Sequence, residues 1–125
     1  MFRFEKLHAW EEAISYCSLV YKVTQQLPDA ERFGLTSQMR RSAVSVSANI
    51  AEGTSRATNK DFARFVEIAY GSLMESVSEA IVAREQRSVS EQDFDKLYQS
   101  AEKLARILSG LRSALLNSKS QALVP

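Results

Sequence analysis

The chain has one cysteine, one histidine, four glycines and two prolines in 125 residues, and each scarcity closes off a class of protein. A lone Cys17 excludes an internal disulfide framework, and its place among apolar residues at helical spacing predicts a buried thiol acting as a small hydrophobe. A lone His8 excludes the paired Glu-x-x-His pattern of di-metal helical bundles. Nine residues separate His8 from Cys17, which puts them on opposite sides of a helix and leaves no nucleophile with its base. No enzyme chemistry, metal or cofactor is therefore expected. So few glycines and prolines leave little room for a turn-rich β fold. Nowhere do about 18 apolar residues run together, and the start of the chain lacks the apolar core of a signal peptide, so the expectation is a soluble cytoplasmic protein without a membrane segment. Charge of one sign is missing too. Sixteen basic residues oppose fifteen acidic ones, so nucleic acid would have to be met by a local patch rather than by a global field.

What is present is helix-forming composition, rich in Ala, Leu, Glu, Arg, Gln and Ser. Its oddest stretch runs from Arg40-Arg41 to Glu52-Gly53 with no charge between. Val44, Val46, Ala48 and Ile50 alternate with Ser45, Ser47 and Asn49 as a half-buried strand would. Met39, Ala43, Val46, Ile50 and Gly53 nevertheless hold a 4-3-4-3 spacing, which forms a seam only on a helix. A lone strand among helices would leave its backbone groups unpaired, so a helix over about 36–52 is predicted, with Gly53 as its stop. Beside its seam lies a polar stripe of Ser42, Ser45, Asn49 and Glu52. Behind it lie Val44, Ala48 and Ala51, small enough to admit a second helix or a second subunit.

The flanking segments read as helices over about 6–27, 59–87 and 90–117. The first has its seam at Leu7, Trp10, Ile14, Cys17 and Tyr21, joined by Ala13, Val20 and Leu27, and stops at Pro28. Phe33 and Leu35 in the connector are available to plug the end of a bundle. The third, capped by Thr58 or Asn59, aligns Phe62, Val66, Ala69, Leu73, Val77 and Ala80, and its mid-helix Gly71 predicts a close contact with the small face of the second helix. In the fourth, Ser90 and Asp93 approximate a capping box, Val89 and Phe94 a staple, and the leucine seam is that of a left-handed bundle. The fold class is all-α, an antiparallel up-down-up-down four-helix bundle in one domain over 1–117, with a frayed tail over 118–125.

Several separated stretches, in order, carry a family likeness. These are Phe4-Glu5-Lys6-Leu7 with Trp10, Glu31 to Arg41, Ser45 to Gly53, Arg56, and Ala69-Tyr70-Gly71-Ser72-Leu73-Met74-Glu75. Together, over about residues 4–85, they resemble the bacterial four-helix bundle proteins encoded in large-subunit ribosomal RNA intervening sequences. Ser47 departs from that pattern, where the family often has proline, which weakens the case for a local kink. The resemblance implies a homo-oligomer, a ring of five bundles. It extends to the accessory proteins of diversity-generating retroelements, which are similar and are thought to engage nucleic acid and a reverse transcriptase through basic surfaces.

Two functions follow as expectations. One is a non-enzymatic homo-oligomeric scaffold whose assembly surface uses Arg41, Val44, Ala48, Asn49, Ala51, Glu52, Gly71 and Glu75, with Arg40 or Arg41 pairing to Glu52 or Glu75 across helices or subunits. The other is a nucleic-acid-binding accessory protein in which Arg40, Arg41, Arg56, Lys60 and Arg64 form one basic patch, repeated around the oligomer to meet RNA or DNA.

Overall fold

The computed structural model describes residues 1–117, and the expected tail at 118–125 lies outside the described residues. A 3-10 turn over Arg3–Lys6 leads into α1 (His8–Thr24), and another over Asp29–Glu31 precedes α2 (Leu35–Gly53), α3 (Asn59–Glu85) and α4 (Glu91–Asn117). Among the described residues there is no strand, so the Val/Ser alternation belongs to a helix. Each helix packs against its sequence neighbours, and α1 closes the ring against α4. Ser42 and Ser45 of α2 meet Glu79 and Ser72 of α3, while Glu12 of α1 and Gln26 just past its end meet Lys103 and Asp93 of α4. Numbers that rise on one helix fall on its neighbour, so the bundle runs up-down-up-down.

The ends have local causes. Pro28 ends α1 early: Gln25, Gln26 and Leu27 donate to carbonyls three residues back, a tightened last turn that stops the helix at Thr24 rather than Leu27. Thr58 caps α3 by accepting from the Asp61 amide at 3.1 Å, and Ser90 accepts from the Asp93 amide at 3.1 Å. At the far end of α3, Ser88 donates to the Ala83 carbonyl at 2.9 Å across Arg87, whose φ of 59° is left-handed. That is a Schellman closure built without glycine.

The core takes Met39, Ala43, Val46 and Ile50 from α2, Phe62, Val66, Ala69, Leu73 and Ala80 from α3, and Phe94, Leu97, Ala101, Leu104, Leu108 and Leu115 from α4. These follow the seams read from the sequence. Helix α1 does not. It is turned so that Ala9, Ala13, Tyr16, Val20 and Val23 face inward, while Ile14 and Tyr21 are exposed and Cys17 is only half-buried. Tyr16 claims the centre because its hydroxyl finds a partner there, sharing a 2.7 Å hydrogen bond with Ser76 of the diagonally opposite helix. Burial pushes its phenol up to about 12, against a small opposing pull from Ser76.

Two glycines exchange roles relative to expectation. Gly53 has no positive φ and is the last residue of α2 rather than a left-handed stop. A Cβ there would come 2.7 Å from the Phe62 ring and 3.0 Å from Phe65 Cβ, so at Gly53 α2 and α3 approach too closely for any side chain. Gly71 touches nothing: a Cβ there meets no atom within 4 Å. It lies exposed on the side of α3 toward α4, beside Tyr70 and Leu108, rather than against the small face of α2.

Candidate nucleic-acid interface

The basic residues singled out in the sequence stand at the two ends of α2. Arg40 and Arg41 lie in its first two turns, and Arg56, Lys60 and Arg64 follow its last turn. Sixteen residues from Arg40 to Arg56, most of them helical, correspond to about 24 Å. The structure therefore divides the single patch into two clusters with different chemistry.

At the start of α2, Arg40 crosses to the end of α1. Its Nε donates to Thr24 Oγ1 at 2.8 Å, and its guanidinium carbon lies 4.7 Å from the centre of the Tyr21 ring. Thr24 is itself fixed by donating to the Val20 carbonyl at 2.7 Å. Arg32 lies 4.8 Å over the ring of Phe33, and Phe33 is 86% exposed rather than plugging the bundle. Tyr21, Arg32, Phe33, Ser37, Arg40 and Arg41 surround an open depression of about 470 Å³. Among the described residues no carboxylate pairs with Arg32, Arg40 or Arg41. Glu31 turns its carboxylate toward the first turn of α2, 3.1 Å from where a Gly34 Cβ would be.

At the other end the arginines are already engaged. Arg56 Nε and Arg64 Nε reach the two oxygens of Asp61 at 2.8 and 3.1 Å, and both guanidinium groups lie over Phe65, at 5.1 and 4.7 Å from its ring centre. The two arginine hydrogen bonds hold the Asp61 carboxyl below its ordinary value. Lys60 is exposed and has no carboxylate partner among the described residues. Arg3 Nη1 donates to the Thr54 carbonyl at 3.0 Å and ties the N-terminal turn to this end.

The residues expected at an assembly surface are partly reassigned. Ser42 and Ser45 join α2 to α3 inside the chain, and Asn49 donates back to the Ser45 carbonyl at 2.8 Å. Within the chain neither Arg40 nor Arg41 pairs with Glu52 or Glu75. Glu75 sits beside Glu79 instead, whose carboxyl is raised chiefly by desolvation and further by Glu75, against the lowering bond from Ser42. Val44, Ala48 and Glu52 are exposed and Ala51 half-buried, so among the described residues no helix covers the back of α2. Tyr21, Arg32 and Phe33 were not expected at a site. Their signal in the sequence is the arginine set directly beside an aromatic at Arg32-Phe33, hidden because Tyr21 fits a helical seam.

Among the described residues no group of three His, Cys, Asp or Glu side chains is placed to hold a metal, and no helix is long and apolar enough to cross a membrane. A family model described as 23S rRNA-intervening sequence protein matches residues 5–110. No curated protein matches the chain. A crystal structure of a protein of unknown function from the S23 ribosomal protein family of Bacteroides thetaiotaomicron VPI-5482 is similar in fold, with a TM-score of 0.77 at 15% identity, covering 83% of this chain and 97% of that one.

Proposed function

The chain belongs to the 23S rRNA-intervening sequence protein family, and from that premise we propose that it is a non-enzymatic, homo-oligomeric helical scaffold of the cytoplasm, assembled as a homopentamer. The observation that carries this reading is the exposed back of α2. Val44 is 42% exposed there and Ala48, one turn further on, is exposed as well, while α3 adds Ile68 and Val82, each more than 40% exposed. A helix that presents small and apolar groups outward, after its own bundle is closed, has a face left for a second copy. Light scattering on the purified chain is expected to give a mass of several chains, and Val44→Glu with Ala48→Glu is expected to reduce it to one. A wild-type mass of one chain at tens of micromolar would end this reading.

A second reading, a nucleic-acid-binding accessory protein, is favoured by the unpaired arginines at the start of α2. Their positive charge is not cancelled locally, unlike that of Arg56 and Arg64. In an assembly the cluster would recur in every copy and act together on a long polyanion. Binding of RNA or DNA that weakens steeply as salt rises supports it, and absence of binding at low salt removes it.

A further inference from the structure

We propose that the depression at the start of α2 is a binding site for single-stranded nucleic acid, in which a base stacks on Phe33 and the adjoining phosphates are held by Arg40 and Arg41. This rests on the second reading above and makes it local.

The exposure of Phe33 is the first reason. A phenyl ring 86% exposed in the connector buries little in the chain, and Arg32 lies 4.8 Å over it. The same arrangement recurs at the other wall, where Arg40 lies 4.7 Å over Tyr21 and is held by Thr24. Two rings backed by guanidinium groups are stacking surfaces with cations attached. Stacking accepts any base because every base has a π face, and a duplex hides those faces from an edge site.

The charges are the second reason. Arg41 is exposed and among the described residues pairs with no carboxylate, so phosphate contact there displaces none of them. The volume of about 470 Å³ lies within the range of about 300–1,000 Å³ usual for small-ligand sites. Its remaining wall is Thr36 and Ser37, with Val44 as the one aliphatic side chain. Exposed rings beside arginines and hydroxyls match the two parts of a nucleotide, a flat base to stack and a phosphate to hold.

The test uses the full chain and a labelled single-stranded RNA of about twenty nucleotides, with the matched duplex beside it, titrated at low and moderate salt. The single strand is expected to bind more tightly than the duplex. Phe33→Ala, at an exposed position where folding is untouched, is expected to weaken the single strand about fivefold or more with its salt slope unchanged. Arg41→Glu is expected to weaken binding and to flatten that slope by at least about one. Lys60→Glu, at the other end of α2, is expected to change neither. If RNA binds but only Lys60→Glu weakens it, the site is misplaced while nucleic-acid binding stands. No binding of either RNA at low salt defeats both. Equal affinity for duplex and single strand with Phe33→Ala neutral leaves phosphate contact alone and overturns stacking. Should Phe33→Ala instead lower the light-scattering mass with RNA affinity intact, the ring belongs to a protein–protein contact and the proposal is wrong.

Discussion

The two ends of α2 carry the same ingredients, arginines beside aromatic rings, and make opposite things of them. At its end, Arg56 and Arg64 close on Asp61 and lie over Phe65, which is 8% exposed, so charge and ring are both turned to holding the bundle. At its start, Arg32, Arg40 and Arg41 have no carboxylate partner among the described residues and Phe33 faces water. A count of basic residues treats the two clusters alike. One acid at the right spacing decides which cluster is available to an outside anion.

The contrast is broken most severely at Gly53, on which the closed end depends. Gly53→Val brings its Cβ to 2.7 Å from the Phe62 ring and is expected to destabilise the chain by about 3 kcal/mol in urea unfolding. A loss under about 0.5 kcal/mol would mean that the helices separate without penalty and that the closed end is not close-packed.

Next in size is a property that neither end controls. Unfolded tyrosine releases its proton near 10.0, while Tyr16 in the fold holds its own to about 12. Between those values the unfolded chain binds fewer protons, so stability falls as pH rises, by roughly 2–3 kcal/mol in all. Tyr16→Phe is expected to abolish that fall while costing about 1 kcal/mol at neutral pH, where it leaves Ser76 without its partner. An alkaline transition unchanged in this variant would assign it elsewhere.

Asp61→Asn converts the closed end into a likeness of the open one. With Arg56 and Arg64 released, affinity for single-stranded RNA at low salt is expected to rise about threefold to tenfold, and Lys60→Glu should then reverse the gain. The parent chain should keep its Asp61 pairs until the pH falls below the ordinary carboxylate range, because the folded value is lowered; their contribution is present above the unfolded value and lost as acid titrates the folded one.

The smallest effect sharpens the view of the outside. Gly71→Ala meets no atom within the chain and lies mid-helix, so thermal unfolding is expected to show a gain of about 0.5–1 kcal/mol. A loss would place a second copy against that point of α3.

Much of this fold was legible. The seams of α2, α3 and α4 follow from spacing, and Ser90 and Thr58 begin helices where hydroxyl caps should. Helix α1 was harder because it is apolar on more than one side, and only the hydrogen bond waiting at Ser76 explains why Tyr16 rather than Tyr21 turns inward. Gly53 and Gly71 look alike in sequence, since the distance to a neighbouring helix is a tertiary quantity. The basic patch divides into two clusters for a related reason: arginines on either side of a long helix are near in number and far in space. Phe33 was assigned to the interior because aromatic rings usually go there, and its exposure is the departure that marks the site.

The bond between Tyr16 and Ser76 has one more consequence. It joins diagonal helices through the middle of the bundle, where sliding or screwing either one by a turn of about 5.4 Å would strand both hydroxyls in the apolar interior. Motions of that kind are how many helical proteins relay a signal from one end to the other. This bundle is braced against them. Whatever touches its connector is passed on as placement, as on a bracket bolted to a frame, and not as a change of shape.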